Sequence, residues 1–574
     1  MPAPFLRLAL LLPVVSLLAA CSTSGPLLSS ADPQAACTRL AAPIAAARIG
    51  LPSGDATIDS ASLIAPGELA VAERGPTPAA TITPAAPQHC QVVGRIAPLD
   101  PKAPPITFQV NLPTRWNGRS VQYGGGGFNG VLVTGLALVP AAPYHLPSPL
   151  ALGYATYGTD SGHRNAPGQP PQAFALNDEA LVNFAHASYK KVRDVAVELM
   201  RRAYGRAPER LYFVGSSEGG REGLAMAQRY PQDFDGIFSR VPVVNWTGLQ
   251  HAGTRNGIAT MGDTWIRPAQ VKRVHEAVLS SCDASDGLVD GLVSDPVGCR
   301  SRFDVAALRC QAGTTGDHCL SDSQVRAVRT LHAPYRFEFP LEHGIQEYPG
   351  WGVSGEATPA SGPTGGWSAW WLGRSPPTLP PQPTNSIAWV YGSGAIQYFY
   401  AREPGFDVRR YDHTRFAPRV LEVSALMDAT DPDLSAFQAR SGKLVLLENM
   451  ADYAQSPYAG IAYYESVVAR MGQPAVDGFM RLFTAPGVDH VGTGAPANVD
   501  MLAALVDWVE RDRTPEGLQL VAQDAKPPFA VSNTRPLCRW PLFPRYTGGD
   551  PVRADSFACT RSDAARQAAS SEAR

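Results

Sequence analysis

Two stretches of the chain alternate between buried-strand and amphipathic-helix patterns. In the first, apolar runs at 152–159 and 210–214 flank a segment, 183–204, in which apolar residues recur at helical spacing. A second helical pattern follows at 222–230. Strands that alternate with helices in this way predict a parallel sheet with helices packed on both faces.

The same alternation returns in the C-terminal part of the chain. Apolar runs at 443–447 and 479–483 predict strands, and the segments near 460–471 and 499–511 predict helices. The residues between the two stretches, near 245–432, are instead rich in Trp, Pro and Gly. This block predicts an inserted lid that covers a site on the sheet.

Length and charge narrow the class of protein. A chain of 574 residues is too long to fold around one simple hydrophobic core, so we expect two domains or one large domain with an insertion. The 49 Lys and Arg residues nearly balance the 51 Asp and Glu residues, which argues against a nucleic-acid partner. Only 17% of residues are charged, while Gly and Pro reach 53 each, a composition that suits a loop-rich exported protein.

The N-terminus predicts export and a lipid anchor. The apolar run 8–20 is too short for a permanent membrane helix, and it ends in Leu-Ala-Ala-Cys at Cys21. This ending resembles the lipobox of bacterial lipoproteins, which predicts a signal peptide at 1–21 and lipidation of Cys21. The Ser/Pro/Ala-rich residues 22–36 predict a tether. Such a protein is exported, and the residue after Cys21 favours the outer membrane; a plain secretory peptide is the alternative.

A Gly-x-Ser-x-Gly motif at 215–219 lies between a predicted strand and a predicted helix. Strand, sharp turn and helix around this motif form the nucleophile elbow of α/β-hydrolases. Glycine is needed at both flanks, because a Cβ there would clash where the strand folds back into the helix. The motif predicts Ser217 as a nucleophile at the positive end of the helix. An ordinary Gly/Ser turn is the alternative.

These patterns together predict the α/β class and an α/β-hydrolase fold with a large inserted lid domain. The catalytic domain comprises 37–245 and 432–574, and the lid domain comprises 246–431.

A glycine cluster at 124–127 follows a probable strand but lacks the Gly-Lys-Ser/Thr of a phosphate loop. In a serine hydrolase, such a loop donates an N–H to the oxyanion; a flexible turn is the alternative.

The rest of the triad follows from chain order, which in this fold is Ser, acid, His. Asp452 lies a short loop after the strand at 443–447, and His490 follows the strand at 479–483. His490 would accept the Ser217 proton, while Asp452 would hold the histidine tautomer and stabilise the imidazolium. The competing acids and histidines are Asp428, Asp431, Asp433, Asp489, His163 and His251.

An acidic loop at 282–292 is a candidate cation site. Asp283, Asp286 and Asp290 place three carboxylates in eight residues, among glycines that allow tight turns. Oxygen ligands of this kind suit a hard cation, although the spacing is not that of an EF-hand. The alternative is a solvated acidic turn.

The cysteines predict disulfides. Apart from Cys21, the chain has the even set Cys37, Cys90, Cys282, Cys299, Cys310, Cys319, Cys538 and Cys559. An even set in an exported chain favours disulfides, and pairing of neighbours is the natural expectation among about 105 connectivities. Zinc is not expected, because no Cys-x-x-Cys or His-rich spacing occurs.

Several motifs together resemble the tannase and feruloyl esterase family from about Cys37 to Cys559. The matching stretches are Gly-Ser-Ser-Glu-Gly-Gly-Arg-Glu-Gly (215–223), Cys-Asp-Ala-Ser-Asp-Gly-Leu-Val-Asp-Gly (282–291), Trp-Ser-Ala-Trp-Trp-Leu-Gly (367–373), Pro-Gly-Val-Asp-His (486–490) and Thr-Arg-Pro-Leu-Cys (534–538). The resemblance implies a triad at Ser217, Asp452 and His490. It also implies oxyanion N–H groups at Gly125 and Glu218.

The resemblance further implies one metal and four disulfides. The metal is a structural calcium held by Asp283, Asp286, Asp290 and the main-chain carbonyls of Leu288 and Leu292. The disulfides are Cys37–Cys90, Cys282–Cys299, Cys310–Cys319 and Cys538–Cys559.

The chain departs from the family pattern beside the triad. Family members usually carry two cysteines that bridge the triad, where this chain has Ser216 and Val491, so we expect a looser triad. Arg240-Val241-Pro242 replaces a usual Gly-Ala-Pro, and Glu448-Asn449 replaces a usual His-Gly. Members that cleave terephthalate half-esters use a lid arginine, which is absent from 383–386 here.

The predicted function is a serine carboxylic ester hydrolase that cleaves esters of aromatic, phenolic acids through an acyl-enzyme. Its partner is a small-molecule aromatic ester, and its membrane contact is the lipid on Cys21. Trp370 is the candidate aromatic wall of the pocket, with Trp367 and Trp371 nearby; lid core is the alternative for all three. The alternative functions are mono(2-hydroxyethyl) terephthalate hydrolysis and silent binding of aromatic ligands.

Overall fold

The computed structural model describes residues 27–67, 86–356 and 366–562. The predicted signal peptide and Cys21 lie outside these ranges. Within them, every helix is too short or too polar to cross a bilayer.

Sixteen strands are assigned in the described ranges. They are β1 (Ala56–Ile64), β2 (His89–Ile96), β3 (Ile106–Pro113), β4 (Arg119–Tyr123), β5 (Ala155–Thr159), β6 (Arg210–Ser216), β7 (Gly236–Arg240), β8 (Tyr335–Arg336), β9 (Glu347–Tyr348), β10 (Lys443–Asn449), β11 (Met480–Ala485), β12 (Gln519–Gln523), β13 (Val531–Pro536), β14 (Cys538–Arg539), β15 (Leu542–Tyr546) and β16 (Phe557–Arg561).

Ten of these strands form one sheet in the order β1-β2-β3-β5-β4-β6-β7-β10-β11-β14. The strands from β5 to β11 in this order pair in parallel, and antiparallel strands close both edges. Alternate residues of the central strands enter different apolar clusters: Phe213 and Leu444 pack into one, while Val214 and Val445 pack into another. The central strands are thus buried on both faces, which explains their continuous apolar runs.

The α-helices of the described residues are α1 (Pro33–Thr38), α2 (Asp178–Val182), α3 (Ser188–Tyr204), α4 (Glu218–Arg229), α5 (Trp246–Ala259), α6 (Pro268–Cys282), α7 (Pro296–Arg300), α8 (Asp322–His332), α9 (Ile387–Ala395), α10 (Ala417–Met427), α11 (Ser435–Ala439), α12 (Pro457–Met471), α13 (Gln473–Asp477) and α14 (Met501–Arg511). The helix predicted at 183–204 is helical throughout and begins earlier, at Asp178: α2 continues into α3 through one π-helical turn at Asn183–Ala187. The elbow helix begins earlier than predicted, at Glu218.

The block between β7 and β10 forms the inserted segment of the α/β-hydrolase fold. It carries α5 to α11 and contributes most residues of two apolar clusters, one of which contains Trp351, Trp367 and Trp371. Short β8 and β9 pair with each other rather than with the main sheet.

The described end of the segment 22–36, predicted as a tether, is packed against the domain. Leu28 is 1% exposed and its N–H donates to the Ala203 carbonyl at 3.0 Å. Burial of the leucine side chain outweighs the polar composition of this stretch, so its described end is not a free tether.

Four disulfides tie the loops of the described chain. They are Cys37–Cys90, Cys282–Cys299, Cys310–Cys319 and Cys538–Cys559. The predicted pairing of neighbours is confirmed. Four disulfides are typical of proteins that fold outside the reducing cytosol.

Candidate active site

Ser217 lies in the sharp turn between β6 and α4. Its φ of 61° is the left-handed conformation that a non-glycine residue adopts rarely and at a cost. A Cβ on Gly215 would stand 2.1 Å from the Gly219 carbonyl oxygen, and a Cβ on Gly219 would stand 2.6 Å from the Gly125 carbonyl oxygen. The two glycines of the motif therefore allow the close approach of strand, helix and glycine-rich loop.

The structure brings the three predicted triad residues into one hydrogen-bonded relay. His490 Nε2 lies 3.1 Å from Ser217 Oγ, and His490 Nδ1 lies 2.7 Å from Asp452 Oδ2. In the tautomer that this arrangement favours, Nδ1–H donates to Asp452 and Nε2 accepts the Ser217 hydroxyl. The other oxygen of Asp452 accepts the N–H groups of Ala454 and Gln455, which fixes the carboxylate. Such a relay can activate a serine as a nucleophile.

The loop that carries His490 is shaped by its neighbour Asp489. The fully buried Asp489 carboxylate accepts the N–H groups of Val491 and Thr493 and the Thr493 hydroxyl. Asn449 donates its amide to the Asp489 carbonyl at 2.6 Å. Asp489 is thus engaged in building the loop and does not contact the His490 ring.

The remaining competitors have other partners. Asp428 accepts the Thr247 N–H and the Ser424 hydroxyl, and Asp433 pairs with Arg470. His163 Nε2 contacts the Phe128 carbonyl, and His251 lies between Thr247 and Tyr411 in the inserted segment. Asp431 accepts the N–H of Asp433.

The two N–H groups predicted to donate to the oxyanion, those of Glu218 and Gly125, differ in whether another group already accepts them. Glu218 is the first residue of α4, so its N–H is among those that no helix carbonyl accepts. Its side chain turns away from the site and pairs with the buried Arg221. The Gly125 N–H, in contrast, donates to Glu222 Oε2 at 2.8 Å. The oxyanion role of Gly125 therefore stays a prediction: in this structure a buried carboxylate accepts that N–H.

Glu222 was not singled out by the sequence. Its carboxylate is fully buried, and it accepts the Gly125 N–H and the Asn129 side-chain amide at 2.7 Å. Burial raises the pKa of Glu222, while Arg221 and the hydrogen bonds oppose that rise. The only sequence feature that pointed to Glu222 is its position within the motif at 215–223. Glu222 ties the elbow helix to the glycine-rich loop.

Aromatic side chains of the inserted segment lie beside the relay. The ring centre of Trp370 lies 6.0 Å from that of His490, and 5.9 Å from that of Tyr391. Trp367 and Trp371 are each 1% exposed within the lid core. Of the three tryptophans, Trp370 is the one that faces the histidine.

The acidic loop has some features of a cation site. Asp286 Oδ2 is buried without a hydrogen-bond partner, and burial raises the pKa of Asp286. Asp283 accepts the N–H groups of Asp290 and Gly291, and Asp290 pairs with Arg535 at 2.8 Å. In the described ranges, no three His, Cys, Asp or Glu side chains converge on a metal position. The Asp286 oxygen without a partner is the one feature here that suits an oxygen-ligated cation, whereas Arg535 already pairs with Asp290.

A sequence profile described as "Tannase and feruloyl esterase" matches residues 90–560. The chain belongs to this family. It is 38% identical over 546 residues to an uncharacterized esterase of Agrobacterium fabrum, covering 91% of this chain and 92% of that protein. It is 32% identical over 545 residues to the mono(2-hydroxyethyl) terephthalate hydrolase of Piscinibacter sakaiensis, covering 85% and 87%.

Solved structures of the family share the fold. The crystal structure of feruloyl esterase B from Aspergillus oryzae superposes with a TM-score of 0.73 at 23% identity, covering 92% of this chain and all of that one. Membership in the tannase and feruloyl esterase family makes this protein a carboxylic ester hydrolase with a small-molecule ester as its substrate.

Proposed function

We propose that this esterase cleaves esters of aromatic acids through an acyl-enzyme on Ser217. The observation that carries the proposal is the Ser217–His490–Asp452 relay beside the ring of Trp370. The relay supplies the nucleophile, and an aromatic wall suits the flat acyl group of a phenolic acid.

The reaction proceeds in two steps. Ser217 Oγ attacks the ester carbonyl carbon while its proton passes to His490 Nε2. The C–O bond to the alcohol breaks, and His490 returns the proton to the leaving oxygen. Water then attacks the acyl carbon with His490 as base, which releases the acid and restores the Ser217 hydroxyl. The Glu218 N–H stabilises the oxyanion of both steps, which in such sites is worth about 3 kcal/mol per donor.

The first test is the Ser217→Ala variant. It should lose hydrolysis of methyl ferulate and p-nitrophenyl acetate and keep the melting temperature within a few degrees. A fluorophosphonate probe should label the wild type once, at Ser217, because labelling requires an activated serine. Undiminished turnover in the variant would exclude Ser217. A folded wild type that resists the probe would favour the alternative of a silent aromatic-ligand-binding protein.

Terephthalate half-esters are a second substrate class, favoured by the 32% identity to the Piscinibacter enzyme. The segment 383–386, which lacks the arginine used there, holds Asn385. That amide is fully engaged in its own loop: it accepts the N–H groups of Thr378 and Gln382 and donates to the Pro376 carbonyl. We therefore expect kcat/KM for a terephthalate half-ester to fall below that for methyl ferulate. A higher kcat/KM for the half-ester than for methyl ferulate would identify the half-ester as the preferred substrate.

We also propose that the acidic loop binds a structural calcium. The buried Asp286 Oδ2 without a partner supports the proposal, and the Leu288 and Leu292 carbonyls would add neutral ligands. Asp283 and Asp290 would complete an all-oxygen shell. The metal would stabilise the loop, which the Cys282–Cys299 disulfide also closes.

The lipid anchor on Cys21 is a further proposal, supported by the apolar run that precedes it. The four disulfides agree with an exported protein. Cys21→Ser should release the enzyme from the membrane fraction. Wild-type enzyme recovered entirely in the soluble fraction would instead indicate a plain secretory peptide.

A further inference from the structure

Arg240 is a buried arginine at the end of β7, between the strands that precede the nucleophile and the triad acid. It pairs in register with Ser216 of β6 on one side and with Leu447 of β10 on the other. Its side chain is 6% exposed. A long cationic side chain is rarely buried unless it contacts groups that repay its desolvation.

Arg240 lies against both the segment that carries Ser217 and the loop that carries His490. Its Nη1 donates to Ser216 Oγ at 3.0 Å, and its main-chain carbonyl accepts the Ser217 N–H at 3.0 Å. On the other side, its Nη2 lies 3.0 Å from the point where a Cβ on Gly492 would stand. Gly492 has a φ of +91° and comes two residues after the histidine. One guanidinium therefore spans the elbow and the histidine loop.

Acidic groups surround the same guanidinium. Burial lowers the pKa of Arg240, and the nearby Asp452, Asp489 and Glu448 oppose that decrease. Glu448 is fully buried, neither of its oxygens has a hydrogen-bond partner, and burial raises its pKa well above the usual range. Burial thus disfavours the ionised form of Glu448. The carboxylates of Asp452 and Asp489 also lie near the charge of Arg240.

We propose that Arg240 is a positioning residue, which holds the nucleophile elbow against the histidine loop so that Ser217 Oγ and His490 Nε2 stay within hydrogen-bond distance. This inference rests on the proposed function of Ser217. It is a contact that the sequence did not predict: the two cysteines expected to bridge the triad are absent, and Arg240 spans the same two segments without a covalent bond.

The test compares Arg240→Met, which removes the charge and the hydrogen bond but keeps the length of the side chain, with Arg240→Lys. Misplacement of reacting groups by about 1 Å costs on the order of 100-fold in rate. We expect Arg240→Met to lower kcat for p-nitrophenyl acetate by about 10- to 100-fold, with KM within about twofold. Arg240→Lys, which keeps the charge, should recover part of that loss.

The control is Arg481→Met. Arg481 is also buried, at 5% exposed, on neighbouring β11, where it donates to the carbonyls of Asp477 and Met480 at the opposite end of the strand from His490. This variant should lower the melting temperature and leave kcat unchanged. A kcat loss as large as that of Arg240→Met would mean that any buried arginine has this effect, and would overturn the proposal.

Ser216→Ala gives a second measurement that does not depend on the folding of the arginine variants. It should lower kcat in the same direction, and the double variant with Arg240→Met should be no slower than Arg240→Met alone, because the two changes remove one shared contact. Unchanged kcat in folded Arg240→Met, or fully additive losses in the double variant, would refute the positioning role. Activity in Ser217→Ala would instead refute the proposed function itself, so the two failures are distinguishable.

Discussion

The buried carboxylate of Glu222 offers a direct test of how the glycine-rich loop is held. Its two oxygens accept the Gly125 N–H at 2.8 Å and the Asn129 amide at 2.7 Å. In Glu222→Gln, the amide oxygen can still accept one of these two hydrogen bonds. The NH₂ group replaces the other oxygen and cannot accept the second one. One hydrogen bond is lost, and one buried donor is left without a partner.

The size of the effect follows from this count. A buried donor left unpaired costs about 1–3 kcal/mol, so Glu222→Gln should lower the free energy of unfolding by that amount. Glu222→Ala leaves both donors without an acceptor and creates a cavity, so its loss in free energy of unfolding should be at least twice as large. Because Gly125 packs directly on Gly219 of the elbow, a shift of the loop should also lower kcat, by about 10-fold or more.

Urea unfolding and steady-state hydrolysis of methyl ferulate measure the two effects. The matched control is Glu510→Gln, since Glu510 also accepts hydrogen bonds from two residues, Arg119 and Tyr212, away from the relay. The control should lose stability and keep kcat. If Glu222→Gln loses stability with kcat equal to wild type, the carboxylate supports the fold alone and the link to the catalytic loop is refuted.

Three further predictions concern the lid, the acidic loop and a buried acid. Trp370→Ala should raise KM for methyl ferulate more than for p-nitrophenyl acetate; equal losses would indicate a folding role. Chelator should lower the melting temperature of wild type, and Asp286→Ala should melt low and ignore chelator; identical melting with chelator and with excess calcium would reject the metal. Burial raises the pKa of Asp428 to about 6 from an ordinary 3.8, so its contribution to stability is present below about pH 4 and is lost as pH rises to 6. Asp428→Asn should therefore gain up to about 3 kcal/mol relative to wild type between pH 4 and pH 8 in urea unfolding, and an equal difference at both pH values would contradict the shift.

The sequence predicted the central sheet well, because its strands are buried on both faces. Runs such as 443–447 are apolar throughout and lie within the observed β10. Helix starts were less accurate. The helix at Glu218 begins with Glu-Gly-Gly, residues of mixed or poor helix propensity, and only packing on β6 and β7 makes them helical. Glycine at 220 is required there, since a Cβ would stand 2.8 Å from the Arg240 carbonyl.

Chain order placed the triad, whereas partners of buried polar groups could not be derived from the sequence. Ser217, Asp452 and His490 each follow a strand, and parallel strands end at one edge of the sheet. Glu222 contacts Gly125 and Asn129, 97 and 93 residues away, and Arg240 lies beside Gly492, which is even more distant in the chain. No local sequence pattern encodes such partners. The Gly125 N–H illustrates this limit, because the residue type suggests an oxyanion donor and only the fold reveals that Glu222 accepts it.

We expect chemistry and substrate choice to reside in different parts of this enzyme. The relay is built at the ends of β6, β10 and β11, and its spacing depends on glycine contacts and on Arg240, all within the catalytic domain. The aromatic wall comes from the inserted segment, through Trp370 and Tyr391. Because these two sets are joined to the sheet by separate loops, substitutions in the wall should change the order of preferred esters without altering the reaction of Ser217 with a small phosphonate. Substitutions around Arg240 should slow every ester by a similar factor.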